Sequence, residues 1–261
     1  MTWVLPGRGG TSSVFNHTIK RGMSGIPVWA VQRALNDIGR SKVLLLDGDY
    51  GPGTEEAVRQ FQSKTGGLSP DGVAGPLTQR KIVGILADMR EATFDGPDGI
   101  LRSVCQYEGG WLVAPMNWSS KGGVDCGAVQ RRVYEGDFGN DAVIERAFNT
   151  KYQLNLLAQS LKELHDTFVG RAGIKGNHEL AWRCAILNHN YPYAAQQISK
   201  VGIVGLSSYW RTPQSWVTNA GVRFPDGASV RTPLEWCQHY ALGNRDHSDV
   251  GQAVALVKSW V

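Results

Sequence analysis

The chain is poor in the features that most quickly assign a class. Four of its 261 residues are cysteine, Cys105, Cys126, Cys184 and Cys237, widely spaced and with no Cys-x-x-Cys pair among them. That spacing gives little support to a zinc or disulfide framework, and reduced thiols are the expectation. The six histidines form no His-x-His or His-Glu-x-x-His pattern, and Asp246-His247 stands alone near the C-terminus. A zinc amidase is disfavoured on that ground. No segment approaches the roughly 18 consecutive apolar residues of a membrane span, so no membrane insertion is expected. The opening, MTWVLPGRGGTSSVFNH, lacks a charged stretch followed by an apolar core, and no secretory signal is read in it. Basic residues are scattered rather than massed. A net charge of +4 and a pI near 8.9 suit an anionic polymer. Without a basic patch, however, nucleic acid is not expected as a partner.

At 28.5 kDa, with 42% hydrophobic residues, the chain can hold one large domain or two modest ones. Residues 1–18 read as a loose arm. After a turn at Lys20–Gly25, Val28, Val31, Leu35 and Ile38 recur at helical spacing, and Gly39 ends the helix. An internal repeat follows. Asp47-Gly48-Asp49-Tyr50-Gly51-Pro52-Gly53-Thr54 returns twenty-four residues later as Asp71-Gly72-Val73-Ala74-Gly75-Pro76-Leu77-Thr78, both copies reading Asp-Gly-x-x-Gly-Pro-x-Thr. Asp-Gly favours a turn that tolerates positive φ, Pro forces an extended residue before it, and Thr is expected to cap the helix that follows. Ala57, Val58, Phe61 and Gln62 continue one such helix, and Ile82, Ile85 and Leu86 another.

Three short helices joined by two such turns resemble the peptidoglycan-binding module found beside many cell-wall hydrolases. The resemblance covers residues 19–87 and rests on Gln32, Ala57-Val58-x-x-Phe61-Gln62 and the second Asp-Gly-x-x-Gly-Pro-x-Thr. It implies a groove in which Asp49, Tyr50 and Thr54 contact a sugar or stem peptide, although Tyr50 serves equally well as core. Residues 88–99, DMREATFDGPDG, carry no hydrophobic period and read as a linker.

The second region, residues 100–261, centres on CQYEGGWLVAPMNWSSKGGVDCGAVQ, from Cys105 to Gln130. Leu101, Val104 and Cys105 lead a helix to Glu108, and Asp125 follows seventeen residues later, after a Ser- and Gly-rich turn. Two carboxyl groups in contrasting surroundings are what cleavage of a glycosidic bond requires. One is kept protonated as acid, and the other stays ionised to stabilise or capture the positive sugar. Trp111 and Trp118 are either sugar-stacking platforms or core. The offsets of Glu108, Asp125, Gly127 and Gln130 resemble the chicken-type lysozymes, with Gly109 in place of the usual Ser. Gly127-Ala128-Val129-Gln130 is similar to the Gly-Leu-Met-Gln of soluble lytic transglycosylases. Residues 141–169 read as Leu-rich helices, and a further apolar helix leads into an Asn188-His189-Asn190-Tyr191-Pro192 turn, the looser counterpart of an Ala-Tyr-Asn-Gly-like turn. The resemblance implies substrate contacts from Gln130, Asn190 and Tyr191. Residues 201–261 carry no recognised motif.

Asp125-Cys126-Gly127-Ala128-Val129-Gln130 also resembles the opening of NlpC-type cysteine peptidases, where a Cys heads a helix and a His lowers its pKa. The helical pattern downstream disfavours that alternative, and so does the absence of His from Lys200-Val201-Gly202-Ile203. The reading is thus a mainly α (α+β) protein of two domains, a three-helix wall-binding module and a lysozyme-like helical domain with a small β-hairpin. It resembles a bacteriophage endolysin: a monomeric muramidase acting on bacterial peptidoglycan, with no cofactor, held in the host cytoplasm until lysis. The alternative is a lytic transglycosylase using Glu108 alone.

Overall fold

The structure, a computed structural model, describes residues 18–39, 44–109, 113, 116–119, 123–137, 139–171, 174–190, 196, 211–224, 226–232 and 235. The protein is mainly helical with one small antiparallel sheet. It divides into two compact units, Met1–Thr93 with Glu108–Leu156, and Phe94–Tyr107 with Leu157–Val261.

The first unit begins with three helices, α1 (Ile26–Ile38), α2 (Pro52–Lys64) and α3 (Pro76–Glu91), with α1 packed on the other two. Val28, Val31, Val58, Ile82, Val83 and Leu86 form the core between them. Helix α3 takes in the first four residues of the 88–99 stretch. Each copy of the repeat starts a helix in the same way. Gly48 and Gly72 hold φ of +71° and +73°, the left-handed region that glycine enters without penalty. Gly51 and Gly75 are then extended, and Pro52 and Pro76 open α2 and α3 at a position whose missing N–H costs nothing.

The two turns are clamped by equivalent glutamines. Gln32 Nε2 donates to Asp47 Oδ1 (2.8 Å), Asp49 O (3.1 Å) and Thr54 Oγ1 (3.0 Å), while its Oε1 accepts from Gly48 N (3.0 Å). Gln62 repeats the set with Asp71 Oδ1 (2.8 Å), Val73 O (2.9 Å), Thr78 Oγ1 (3.1 Å) and Gly72 N (2.8 Å). The threonines therefore do not cap, contrary to expectation. Because Pro starts each helix two residues earlier, Thr54 and Thr78 fall inside the first turn, and their buried hydroxyls bond the clamp.

The same unit carries the small antiparallel β element expected, a sheet of three strands, β1 (Met116–Ser119), β2 (Gly123–Cys126) and β3 (Arg131–Tyr134), in that order. Val124 and Val133 are register partners and both buried, so they fix the inner face. The next residue along places Asp125 opposite Asn117 on one side and Arg132 on the other. A 3₁₀ turn at Glu135–Asp137 leads to α5 (Asp141–Phe148), capped by the Asn140 side chain, and then to α6 (Thr150–Val169). The helices expected over 141–169 are thus two, divided at Asn149, whose Oδ1 accepts from Tyr152 N (2.9 Å) at the start of α6. Helix α5 packs on β3 and on α1.

The second unit contains α4 (Ile100–Gly109) as far as Tyr107, most of α6, α7 (His178–Asn190) and a short α8 (Ser215–Thr218), while Glu108 and Gly109 belong to the first unit. Leu101, Val104, Leu161, Phe168, Ile174 and Ala185 are buried there. Helix α7 runs through Asn188-His189-Asn190, which had been read as a turn. It is described to Asn190, and Tyr191 and Pro192 lie outside the described residues.

Candidate functional site

Strand β2 delivers Asp125 to the sheet face opposite the buried valines. There it meets Arg132, its cross-strand partner, in a two-point ion pair: Arg132 Nε donates to Oδ1 at 2.7 Å and Nη2 to Oδ2 at 2.8 Å. Both side chains are partly exposed, the Asp125 carboxylate at 22%. The hydrogen bond from Arg132 to Asp125 holds the guanidinium above its usual pKa. Asp125 is therefore a carboxylate aimed by two hydrogen bonds from one guanidinium. Sequence reading passed over Arg132. Its signal is the alternation of β3, which exposes Arg131, Arg132 and Tyr134 to differing degrees around buried Val133.

The turn after β2 is built for tight approach. Gly127 has φ of +77°, and a Cβ there would lie 2.4 Å from the Gln153 side chain and 2.5 Å from Ala147 O. Gln153, fully buried at the start of α6, donates to Cys126 O (3.1 Å) and to Ala147 O, and accepts from Val129 N (3.2 Å). One amide thus ties the turn to the α5–α6 corner. Gln153 also went unnoticed in the sequence. It stands four residues before Leu157 and eight before Leu161, so a polar side chain occupies the apolar stripe of α6. Gln130, named as a substrate contact, sits at φ +50° and turns its Nε2 back onto Gly127 O (3.0 Å).

Glu108 is the next-to-last residue of α4; its side chain lies outside the described residues. The same holds for the side chains of Trp118, which pairs with Val124 across β1 and β2, and of Asn190, the last residue of α7. Trp111 and Tyr191 lie outside the described residues altogether. Cys126 is buried on β2 and points its thiol at Val124 O (3.6 Å). Burial, reinforced by the negative charge of Asp125, pushes its pKa well up. A nucleophilic cysteine needs the reverse: a helix N-terminus or a cationic neighbour that favours thiolate. Cys105 and Cys184 are likewise buried, and neither is in a disulfide among the described residues.

In the first turn of the three-helix region, Asp49 is exposed, and its backbone carbonyl is taken by Gln32. Tyr50 is 2% exposed and its hydroxyl donates to Gly72 O (2.8 Å), joining the two turns. Burial raises its pKa. Thr54 is committed to the Gln32 clamp. Tyr50 and Thr54 thus sit in the core of the repeat, and Asp49 is the member of the three whose side chain faces solvent.

Comparison with known proteins speaks to this region. Residues 24–82 match the family described as Putative peptidoglycan binding domain. The chain is also 44% identical over 66 residues to a zinc D-Ala-D-Ala carboxypeptidase of Streptomyces albus G. That match takes in 25% of this chain and 26% of the relative, so the chain spans about a quarter of the length of the curated protein it matches.

Proposed function

We propose that the protein is a peptidoglycan-cleaving enzyme that carries its own wall anchor, and that its chemistry is glycosidic: a muramidase acting on the β-1,4 bond between N-acetylmuramic acid and N-acetylglucosamine. The wall as target follows from the N-terminal match and from the doubled glutamine clamp that builds that region. The glycosidase reading rests on one observation, the carboxyl residue Glu108 in the last turn of α4 followed by a sheet that aims Asp125 from β2.

In this reading Glu108 protonates the leaving glycosidic oxygen. Asp125, fixed by Arg132, faces the developing oxocarbenium ion, stabilises or captures it, and water completes hydrolysis. The anchor keeps the enzyme on an insoluble polymer and raises the local concentration of bonds to be cut. A bacteriophage-type lysin fits this plan: a chain held in the host cytoplasm until it is released onto the wall.

The bidentate Arg132 contact favours a second reading. A carboxylate already neutralised by a guanidinium is a poorer nucleophile, and Glu108 could then serve alone as acid and base while the muramyl 6-hydroxyl closes an anhydro ring. Burial of the Cys126 thiol tells against the peptidase alternative. Digestion of purified sacculi followed by mass spectrometry separates all three. Reducing N-acetylmuramic acid ends support the muramidase, and 1,6-anhydro ends the transglycosylase. New free amino groups on the stem peptide, with intact glycan, would overturn the glycosidase reading.

A further inference from the structure

The second unit holds a side-chain cluster that the proposed chemistry does not use. His165, on α6, is almost fully buried and its ring stacks on Trp182 of α7, with centroids 4.3 Å apart and planes 24° from parallel. Its Nδ1 lies 2.8 Å from Asp166 Oδ1. A carboxylate can only accept there, so Nδ1 carries the proton and Nε2 of the neutral ring is left with a lone pair. That lone pair accepts a hydrogen bond from His178 Nδ1 at 3.1 Å. His178 is the first residue of α7 and exposed, so its ring can pivot, whereas the ring of His165 cannot.

We propose that this pair is a binding site for a divalent transition-metal ion, with His165 Nε2 and His178 Nδ1 as its ligands. An ion bound by both nitrogens takes the place of the proton between them, with His178 shifting to the tautomer protonated at Nε2. Three features of the geometry support it. The nitrogens are already close to the separation of two ligands on one tetrahedral ion, roughly 3.3 Å for metal–nitrogen bonds of about 2.0–2.1 Å. Asp166 holds His165 in the tautomer and orientation that metal-bound imidazoles are normally given by an outer carboxylate. Finally, the pair opens onto a cleft of about 670 Å³ that is also lined by Asp95, Lys162 and Glu179. Asp166 is itself fixed by Lys162 Nζ, which donates to both of its carboxylate oxygens at 3.0 Å.

Among the described residues, no three His, Cys, Asp or Glu side chains close into a complete metal cage. The protein accordingly supplies two ligands and solvent fills the remaining positions. Imidazole donors select Cu²⁺, Ni²⁺ and Zn²⁺ over Mg²⁺ and Ca²⁺, with Cu²⁺ held more tightly than Zn²⁺. The site is independent of the wall-cleaving reading and stands or falls without it.

Titration calorimetry of the full untagged chain with ZnCl₂, CuCl₂ and MgCl₂ tests it. One saturable site is expected for Zn²⁺, tighter for Cu²⁺, with no Mg²⁺ heat in the same range. His178→Ala, at an exposed position that leaves the core intact, should abolish that site while the circular dichroism spectrum is unchanged. Asp166→Asn, which keeps both ligands but loses the orienting charge, should weaken Zn²⁺ by about 10- to 100-fold. Absence of saturable Zn²⁺ binding would overturn the proposal. So would a His178→Ala variant that binds Zn²⁺ as tightly as the parent, since the ion would then be held elsewhere and the imidazole contact would be only a link between α6 and α7.

Discussion

Asp125 and Arg132 face each other across β2 and β3 and share two hydrogen bonds, of 2.7 and 2.8 Å, on the sheet face away from the buried Val124–Val133 pair. The carboxylate is therefore both oriented and electrically compensated. If it stabilises a sugar cation, Asp125→Asn keeps the shape and removes the charge, and the initial rate of sacculus clearance should fall by about 10²-fold or more. Arg132→Met frees the carboxylate and loosens its aim, so a smaller loss is expected. An Asp125→Asn protein that clears sacculi at the parental rate, releasing anhydro ends, would reduce Asp125 to a partner of Arg132 and leave Glu108 to act alone.

The glutamine clamps should dominate the stability of the three-helix region. Gln62→Leu removes four hydrogen bonds at once and strands the Gly72 N–H inside the turn. Each buried group left unpaired costs about 1–3 kcal/mol, so a total near 2–4 kcal/mol is expected in urea denaturation. Gln60→Leu, on the exposed side of the same helix, should stay within about 0.5 kcal/mol. Equal midpoints for the two variants would show that the clamp carries no weight.

Acid should attack the same turns. The hydrogen bond from Gln32 lowers the pKa of Asp47 below its ordinary 3.8, and the Val73 N–H, followed by Gln62, lowers that of Asp71. A folded-state pKa below the unfolded value means that ionisation stabilises the fold above about pH 4, and that this contribution is lost as pH falls through the lowered values. The parent chain should therefore lose stability more steeply below pH 4 than the Asp47→Asn/Asp71→Asn double variant. Parallel slopes would remove these carboxylates from the account.

Cys126→Ser separates glycosidase from thiol peptidase. The thiol is buried and kept protonated at neutral pH by desolvation and by Asp125. Clearance of sacculi should survive the change, apart from a modest loss of stability for a buried hydroxyl. Loss of all cleavage in a folded Cys126→Ser protein would transfer the chemistry to the sulfur.

Local rules made the three-helix region readable. Asp-Gly, Gly-Pro and the apolar spacing each act within one turn of chain, and the repeat declared itself twice. They failed at Thr54 and Thr78, because proline moved the helix start and a distant glutamine claimed the hydroxyls. The second half was legible in element type but not in pairing. The Gln153 tie joins residues far apart in the chain. The Arg132 partner of Asp125 is near in sequence, but which side chain it meets is decided only by the strand register. Gln153 and His165 show the general reason: polar side chains on an apolar helical face are meaningless until the partner that satisfies them is in place. The module's proposed sugar contacts divided on burial, since Tyr50 is drawn inside by its bond to Gly72 O while Asp49 remains outside.

The claim on which the rest depends is that Glu108 supplies the proton. Glu108→Gln should fold as the parent does and co-sediment with sacculi to the same extent through residues 24–82. Its turnover of the glycan should fall by at least about 10²–10⁴-fold, measured as release of reducing or anhydro muropeptides. A folded Glu108→Gln protein that binds sacculi and cleaves glycan at the parental rate would contradict the account.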